Sequence, residues 1–430
     1  MQLGLISLGC AKNKVDSEIF LGMARKYGLL ITDSLDEADV IVVNTCGFIE
    51  EAKKESIDTL VDLIDYAKSG KVIVAIGCLV ERYLDELKNE LPEVNYFIPI
   101  RSYQELPVLF KRLTNLSADY EFSYKTRELS TPPSTAYLRI GEGCNNCCSY
   151  CAIPLIRGSY RSRPLDELMD EAKLLIKMGV EELTIIAQDT SKYGSDLKDT
   201  TLATLLTNLA ELKAFKWIRV LYLYPDEITD ELIEVFKKYD CILNYFDIPI
   251  QHASNKLLKA MNRRGTKEDI TLLIDKIRTN IPDSIIRTTL IVGFPGETNG
   301  DFLVLKKFIS DMKFSHLGVF TYSDEENTKA FDMYPKVRLS TMEKRRDELM
   351  QIQLDINIKR LSLLVGKTFE ALCDHYDPEL NAFALRYYVQ ALDDVDGYIY
   401  TSSSNLIIGA FYMVKITGVD GYDLIGEVLN

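Results

Sequence analysis

The run Gly-Cys-Asn-Asn-Cys-Cys-Ser-Tyr-Cys at residues 143–151 constrains this chain more than any other feature. Cys144, Cys148 and Cys151 are spaced Cys-x3-Cys-x2-Cys on a loop that follows a β-rich run, residues 136–140. Such a loop offers three thiolates to a four-iron cubane and leaves one iron without a protein ligand. Closed structural metal sites use a fourth residue, whereas an open coordination position is where chemistry can happen. Cys147 creates a rival frame, Cys144-x2-Cys147 abutting Cys148-x2-Cys151. Zinc knuckles stand many residues apart so that the chain can loop around the metal. No residue separates them here, so four-cornered zinc ligation by this run is sterically poor. Cys147 then reads as a bystander facing away from the cluster.

The rest of the chain is organised around strand ends. Residues 1–118 alternate apolar strands with helical stretches, as a parallel α/β domain does. The β-rich runs 3–8, 40–44 and 72–76 each end within two residues of a cysteine, namely Cys10, Cys46 and Cys78. Ligands of open parallel sheets gather beyond the carboxyl ends of the strands. The same placement three times favours a second three-cysteine cluster over three ordinary half-buried thiols. Residues 119–134 are polar and, with Ser-Thr-Pro-Pro-Ser at 130–134, read as a linker. From 135 to 364 the β/α alternation restarts, with strands expected at 136–140, 182–188, 218–224, 245–250, 286–292 and 317–322. Helical segments such as 165–178 and 202–213 separate them, so a partial (β/α)6 barrel follows, with its active face at the strand C-termini. Ser-Thr-Met-Glu at 340–343 reads as a capping box opening a long helix to about residue 364, its basic residues solvated. Residues 365–430, with a turn at Asp420-Gly421, suit a small β-barrel. The expected class is therefore α/β, with a cluster-binding parallel domain, a partial barrel and a small β-barrel.

The chain's 430 residues leave room for two or three domains and a substantial core. No apolar run approaches a membrane span, and the apolar run at the N-terminus lacks a basic leader. Nine cysteines without an export signal argue for reduced thiols and metal ligation, hence a cytoplasmic address. A formal charge of −14 speaks against a nonspecific nucleic-acid binder, which needs a basic surface. Residues 365–430 hold ten acids against three bases, Lys367, Arg386 and Lys415, and so carry half of that excess.

Several motifs together resemble the methylthiotransferase family of radical S-adenosylmethionine (SAM) enzymes over essentially the whole chain. Residues 8–18 (Leu-Gly-Cys-Ala-Lys-Asn-Lys-Val-Asp-Ser-Glu), 44–48 and 76–78 are similar to its first-domain motifs. Residues 144–154 with Arg157-Gly158 are similar to its central motif, from which Cys147 departs. The family order is an N-terminal cluster domain, a radical SAM barrel and a TRAM domain. Residues 187–194 and 247–254, with Met261 and Gly265, resemble the protein-modifying, RimO-type branch, whereas the transfer RNA branch carries other residues there. The acidic C-terminal module points the same way, because a module gripping RNA should be basic. It suits a lysine- and arginine-rich protein instead.

The resemblance implies two [4Fe-4S] clusters, one on Cys10, Cys46 and Cys78 and one on Cys144, Cys148 and Cys151. It implies SAM as methyl donor and radical source, and an exogenous sulfur on the first cluster. The reaction implied adds a methylthio group to the β-carbon of one aspartate in ribosomal small-subunit protein twelve. That carbon is unactivated, so a base cannot readily take its hydrogen, whereas a carbon radical can. Partners implied are that ribosomal protein and a low-potential donor such as a flavodoxin or ferredoxin, with no membrane and with nucleic acid not the main contact. Around SAM the candidates are Tyr150, Gln188, Asp189 and Arg287, with residues 293–297 shaping a nucleoside pocket or forming a plain turn. Candidates for a carboxylate or the substrate are Arg157, Gln251 and His252, the last also readable as a structural group. Cys241 and Cys373 read as plain apolar residues. The alternatives are the same chemistry on a modified adenosine of transfer RNA, and a noncatalytic iron–sulfur ribosome-assembly or electron-transfer factor.

Overall fold

Val-Ile-Val-Val-Asn-Thr at residues 40–45 is buried at every position, as a strand covered on both faces must be. The computed structural model describes every residue except 119, 393–395, 404 and 430. It divides into two compact units, residues 1–130, 142–161 and 323–331, and residues 131–141, 162–322 and 332–430.

In the first unit, β1 (Gln2–Ser7), α1 (Ala11–Lys26), β2 (Leu30–Ile31), β3 (Val40–Thr45), α2 (Glu50–Asp62) and α3 (Ile64–Lys68) follow in order. Then come β4 (Val72–Gly77), α4 (Cys78–Arg82), α5 (Leu84–Glu90), β5 (Tyr96–Pro99) and α6 (Leu106–Thr114). The strands form a parallel sheet in the order β2-β1-β3-β4-β5. Alternate residues serve opposite faces. Leu3, Val40, Val42, Val74 and Ile76 join Phe20, Tyr27 and Phe110 of the α1–α6 side, whereas Ile41, Val43, Ile73 and Ala75 join Leu60, Leu79 and Leu87. Burying each of those large aromatics contributes roughly 2–3 kcal/mol. Strands β2 and β5 carry weak sequence signals and were not anticipated.

The stretch expected as a linker is partly built into this unit. Glu18 of α1 is fully buried; it accepts hydrogen bonds from Ser130 N and Oγ at 3.0 and 3.1 Å and ion-pairs with Arg127. Gly22 lets the chain lie flat on the helix, because a Cβ there would sit 2.7 Å from Thr126 O. The cysteine loop also belongs to this unit rather than to the barrel, along with α7 (Ile153–Ile156).

The second unit holds six parallel strands, β6 (Thr135–Arg139), β7 (Glu182–Ile186), β8 (Trp217–Val220), β9 (Ile242–Asp247), β10 (Ile285–Val292) and β11 (His316–Thr321). They pair in sequence order as an open six-stranded sheet, as expected of a partial barrel. Helices α8 (Leu165–Lys177), α9 (Leu202–Glu211), α10 (Asp230–Lys238), α11 (Asn255–Ala260), α12 (Lys267–Asn280) and α13 (Asn299–Met312) separate them. Capping boxes start α12 at Thr266/Asp269 and α13 at Thr298/Asp301.

Helix α14 (Leu339–Ser362) corrects two expectations. Its N-cap is Arg338, so Ser340 is already helical and makes no capping box. Nor is its basic face wholly solvated: Arg345 is buried, 3.3 Å from Glu297 Oε1. Strands β12 (Thr368–Asp377), β13 (Ala382–Tyr387), β14 (Ile399–Thr401), β15 (Phe411–Asp420) and β16 (Asp423–Val428) close a barrel in the order β12-β13-β14-β16-β15.

That small barrel sits against the strand N-terminal ends of its unit. Glu182, the first residue of β7, is fully buried and receives Arg386 Nη2 at 2.8 Å and Arg219 Nε at 3.3 Å. Asp374 completes the group, 2.8 Å from Arg386 Nε. Beside it, Asp396 accepts the Tyr245 hydroxyl at 2.6 Å and the Ala391 N–H at 2.9 Å. Of the acids at 393, 394 and 396 that count toward this module's charge, Asp396 is buried and partnered, and the other two lie outside the described residues. Acid count alone overstates this module's negative surface, since Asp374 too is buried.

Candidate functional site

Strand order 2-1-3-4-5 places a topological switch point between β1 and β3, where open α/β sheets bind ligands beyond the strand carboxyl ends. Cys10 and Cys46 follow those two strands, and Cys78 follows the next one, β4. The sequence put three cysteines at strand ends; the sheet order makes them neighbours. Gly9 has φ +88° and its backbone touches Cys46, since a Cβ there would lie 2.8 Å from Cys46 Cβ and 2.9 Å from its Sγ. A non-glycine residue resists that left-handed backbone, and no side chain fits the space.

Asn13, in the first turn of α1, stitches the three strand ends together. Its Nδ2 donates to Leu8 O at 3.1 Å and Thr45 O at 3.0 Å, and its Oδ1 lies 3.3 Å from Cys78 Sγ. Asn44 Nδ2 in turn donates to Asn13 O at 2.8 Å and Ser17 Oγ at 2.9 Å. The Ser56 hydroxyl accepts from Cys46 N at 2.9 Å and donates to its carbonyl at 3.0 Å. Burial pushes the Cys46 thiol up to about 12, with Cys78 and Cys10 adding to the rise. Cys78 is raised by burial too, while Arg157 works against the rise. Each of these thiols therefore sheds a proton when it becomes a metal ligand.

Among the described residues no three His, Cys, Asp or Glu side chains close on a single metal ion. A lone zinc needs every donor within about 2.3 Å of one point, whereas a cubane takes each thiolate on a different iron and tolerates a wider set. Three thiols at adjacent strand ends, held by buried amides, fit the second case.

The central loop is held from both ends. Cys144 N donates to Gly158 O, and Cys151 N to Cys148 O, each at 3.1 Å, while Ala330 N donates to Ser149 O at 2.7 Å. Cys144, Cys148 and Cys151 are half-buried, whereas Cys147 is exposed with φ +49°. Ala152 and Ile156 pack against Cys78 in one apolar cluster, joined by Ile100. Nearby, Arg82 bonds Gly47 O at 3.0 Å and Glu325 at 2.6 Å, and Lys53 lies 3.2 Å from Glu325. Asn13, Asp16, Arg82 and Glu325 were all missed as site residues. The only signal for the first two was their place in the motif at residues 8–18.

Three expected roles change. Arg157 does not reach outward: its Nη1 lies 2.9 Å from Asp16 Oδ2 and 3.3 Å from Glu142 Oε2, and its Nη2 lies 2.7 Å from Asn13 Oδ1 and 3.3 Å from Cys78 Sγ. It is buried, so desolvation opposes its charge, but Cys78, Glu142 and Asp16 more than offset this and hold it firmly protonated. Arg287 stands five residues before the end of β10, 3.6 Å from both Asp247 and Asp396, so its charge serves the contact with the small barrel rather than a nucleoside pocket. His252 is fully buried, and its Nδ1 accepts the N–H groups of Ala253 and Ser254 at 2.9 Å each. Nε2 lies 3.7 Å from Glu297 Oε1. The ring is thus held by this chain's own backbone.

Gln251 has φ +69° and bridges to β10 through Leu290. Gln188 and Asp189 stand two and three residues past the end of β7; Asp189 is buried and its Oδ1 accepts the Ser191 hydroxyl at 2.6 Å. Tyr150 lies in the turn before Cys151. At residues 293–297 Gly293 N donates to Glu297 across a strand-ending turn. Cys373 is buried and Cys241 half-buried.

Comparison with known proteins agrees with this layout. The Radical SAM superfamily matches residues 138–309, the Uncharacterized protein family UPF0004 residues 2–99, and the TRAM domain residues 365–429. The chain is 47% identical to the ribosomal protein uS12 methylthiotransferase RimO of Clostridioides difficile, across 100% of this chain and 99% of that one. It is 46% identical to the protein of the same name from Aquifex aeolicus, across 99% and 97%. In fold it is similar to the radical S-adenosylmethionine methyltransferase TsrM from Kitasatospora setae, with a TM-score of 0.55 at 12% identity, covering 74% of this chain and 72% of that one. With such identity over its whole length, the chain belongs to the family of ribosomal protein uS12 methylthiotransferases, within the Radical SAM superfamily.

Proposed function

We infer that this chain is a SAM-dependent radical methylthiotransferase acting on ribosomal protein uS12, and that it modifies the β-carbon of an aspartate there. The observation that carries the reading is the row of Cys10, Cys46 and Cys78 at three adjacent strand ends, in the same unit as the Cys144 loop. When bound, a cluster on Cys144, Cys148 and Cys151 would supply the electron that splits SAM into methionine and a 5′-deoxyadenosyl radical, and one on the other trio would hold the exogenous sulfur to be transferred. The chain's own part is to place and shield these groups. Asn13, Asn44 and Ser56 fix the strand-end loops that carry the first trio. Gln188 and Asp189 are proposed for the SAM amino group, Tyr150 for the adenine side, and Gln251 for the substrate. A flavodoxin or ferredoxin is the proposed electron donor. No helix among the described residues is long and apolar enough to cross a membrane.

The test is anaerobic reconstitution followed by mass spectrometry of uS12 incubated with SAM and dithionite. Wild-type protein should carry about eight irons and add one methylthio group to uS12. Replacing Cys144, Cys148 and Cys151 by Ala should halve the iron and abolish 5′-deoxyadenosine. The Cys10, Cys46 and Cys78 triple variant should still cleave SAM but transfer nothing. Full iron in that second variant defeats the ligand assignment. Modification of transfer RNA instead of uS12 favours the sister activity, and no SAM cleavage at all favours a noncatalytic iron–sulfur protein.

A further inference from the structure

The Arg157 guanidinium is enclosed by partners from this chain, and one of them is a sulfur. Its side chain is 1% exposed. Two carboxylates, Asp16 and Glu142, and the Asn13 carbonyl aim the planar fork, leaving Nη2 3.3 Å from Cys78 Sγ, within reach of an N–H···S hydrogen bond. Asn13 takes part in both directions, because the same Oδ1 that receives Nη2 lies 3.3 Å from that sulfur.

We propose that Arg157 is a positioning residue that hydrogen-bonds the Cys78 sulfur, orients it as a ligand and raises the reduction potential of the cluster on Cys10, Cys46 and Cys78. The inference rests on the reading of that trio as a ligand set. Hydrogen bonds to ligand sulfurs, net charge and exclusion of solvent are the levers by which a protein sets a cluster's potential. Arg157 applies all three at one atom. A buried cation beside the sulfur favours the reduced, more negative cluster, and low polarizability around it strengthens the effect. Asp16 and Glu142 work the other way: two carboxylates face one guanidinium, but of the three groups it is Arg157 that reaches the sulfur.

Arg157 also stands six residues after Cys151, at the end of α7, whose Ile156 packs on Cys78 together with Ala152. One side chain thus joins the segment carrying the radical SAM trio to a ligand of the other trio. The sequence motif showed the arginine; only the fold shows that it faces a cysteine 79 positions away.

The balance of charges makes opposite predictions for two variants. Arg157→Gln retains a donor for the sulfur and removes the cation, so the potential should fall. Asp16→Asn leaves Arg157 in place and removes a competing anion, so the potential should rise. Arg157→Lys, a point charge without the fork, should lie between Arg157→Gln and wild type. A purely structural role has no reason to move the potential in opposite directions.

The experiment is a redox titration followed by electron paramagnetic resonance on the full chain, anaerobically reconstituted. It is done in a background with Cys144, Cys148 and Cys151 replaced by Ala, so that a single cluster reports. Iron content and the cluster signal are recorded for each variant before titration. A lowered potential for Arg157→Gln with a raised one for Asp16→Asn supports the proposal. If Arg157→Gln cannot hold iron, Asp16→Asn alone decides: an upward shift supports the proposal, and an unchanged or lowered potential overturns it. Potentials that coincide in all variants overturn it while leaving the ligand assignment intact. No iron in the background protein with Arg157 and Asp16 unchanged overturns the ligand assignment itself, and this inference with it.

Discussion

Replacing Glu182 by Gln should weaken the attachment of the C-terminal barrel more than any surface change of equal size. The carboxylate is fully buried and shared by two guanidiniums, Arg386 at 2.8 Å and Arg219 at 3.3 Å. After the substitution Arg386 keeps Asp374 at 2.8 Å, whereas Arg219 keeps, among the described residues, the Tyr388 carbonyl at 2.9 Å and the face of Tyr245. Leaving a buried charge uncompensated costs about 3–5 kcal/mol. Because Tyr388 and Tyr245 still solvate Arg219, the lower end applies, about 3 kcal/mol. For a cooperative unit of about 270 residues, that is a drop of roughly 5 °C in melting temperature. The assay is calorimetry or urea denaturation of the apoprotein, with Glu370→Gln as control. Glu370 pairs with Lys216 at the surface, where such pairs contribute about 0–1 kcal/mol.

The effect has a defined pH window. Burial works to raise the Glu182 pKa, but Arg386 and Arg219 outweigh it and hold it below its ordinary value of 4.5. A carboxylate depressed in the folded state contributes stability that is present above the unfolded value and lost as pH falls through the folded one. The gap between wild type and Glu182→Gln should therefore be full above pH 4.5 and shrink below it. A variant as stable as wild type at pH 7, or a gap unchanged at pH 3, would show that the Glu182 carboxylate does not anchor the barrel.

Cys147→Ser should keep both clusters and most activity, since this exposed residue stands outside the Cys144, Cys148, Cys151 frame; loss of half the iron in this variant shows the ligand frame was misread. Gly9→Ala should lose iron selectively from the first trio, because its methyl group meets Cys46 Cβ at 2.8 Å and its φ of +88° disfavours any side chain. Iron analysis of Gly9→Ala in the Cys144, Cys148, Cys151 background is the check, and undiminished iron there removes Gly9 from the site.

What the sequence determined by itself was local or periodic. Cysteine spacing marked the central loop, and buried β-rich runs marked the three strands before Cys10, Cys46 and Cys78. Alternating β-rich and helical runs marked all six strands of the partial barrel, and short strands with turns marked the small one. These signals survive in one dimension because a strand's two faces and a loop's ligand spacing are written in consecutive residues. Side-chain partners are not so written. Arg157, Arg287 and His252 were each reasonable hands for a ligand until folding supplied Asp16, Asp396 and two backbone amides. A buried charge is stable only where compensating groups surround it, and those groups come from distant parts of the chain. The same holds for Asp396 and Asp374, which count as acidity in the sequence and as internal partners in the fold. Strand order likewise belongs to the tertiary structure: only when β1, β3 and β4 pair side by side do three cysteines from separate loops come to one edge.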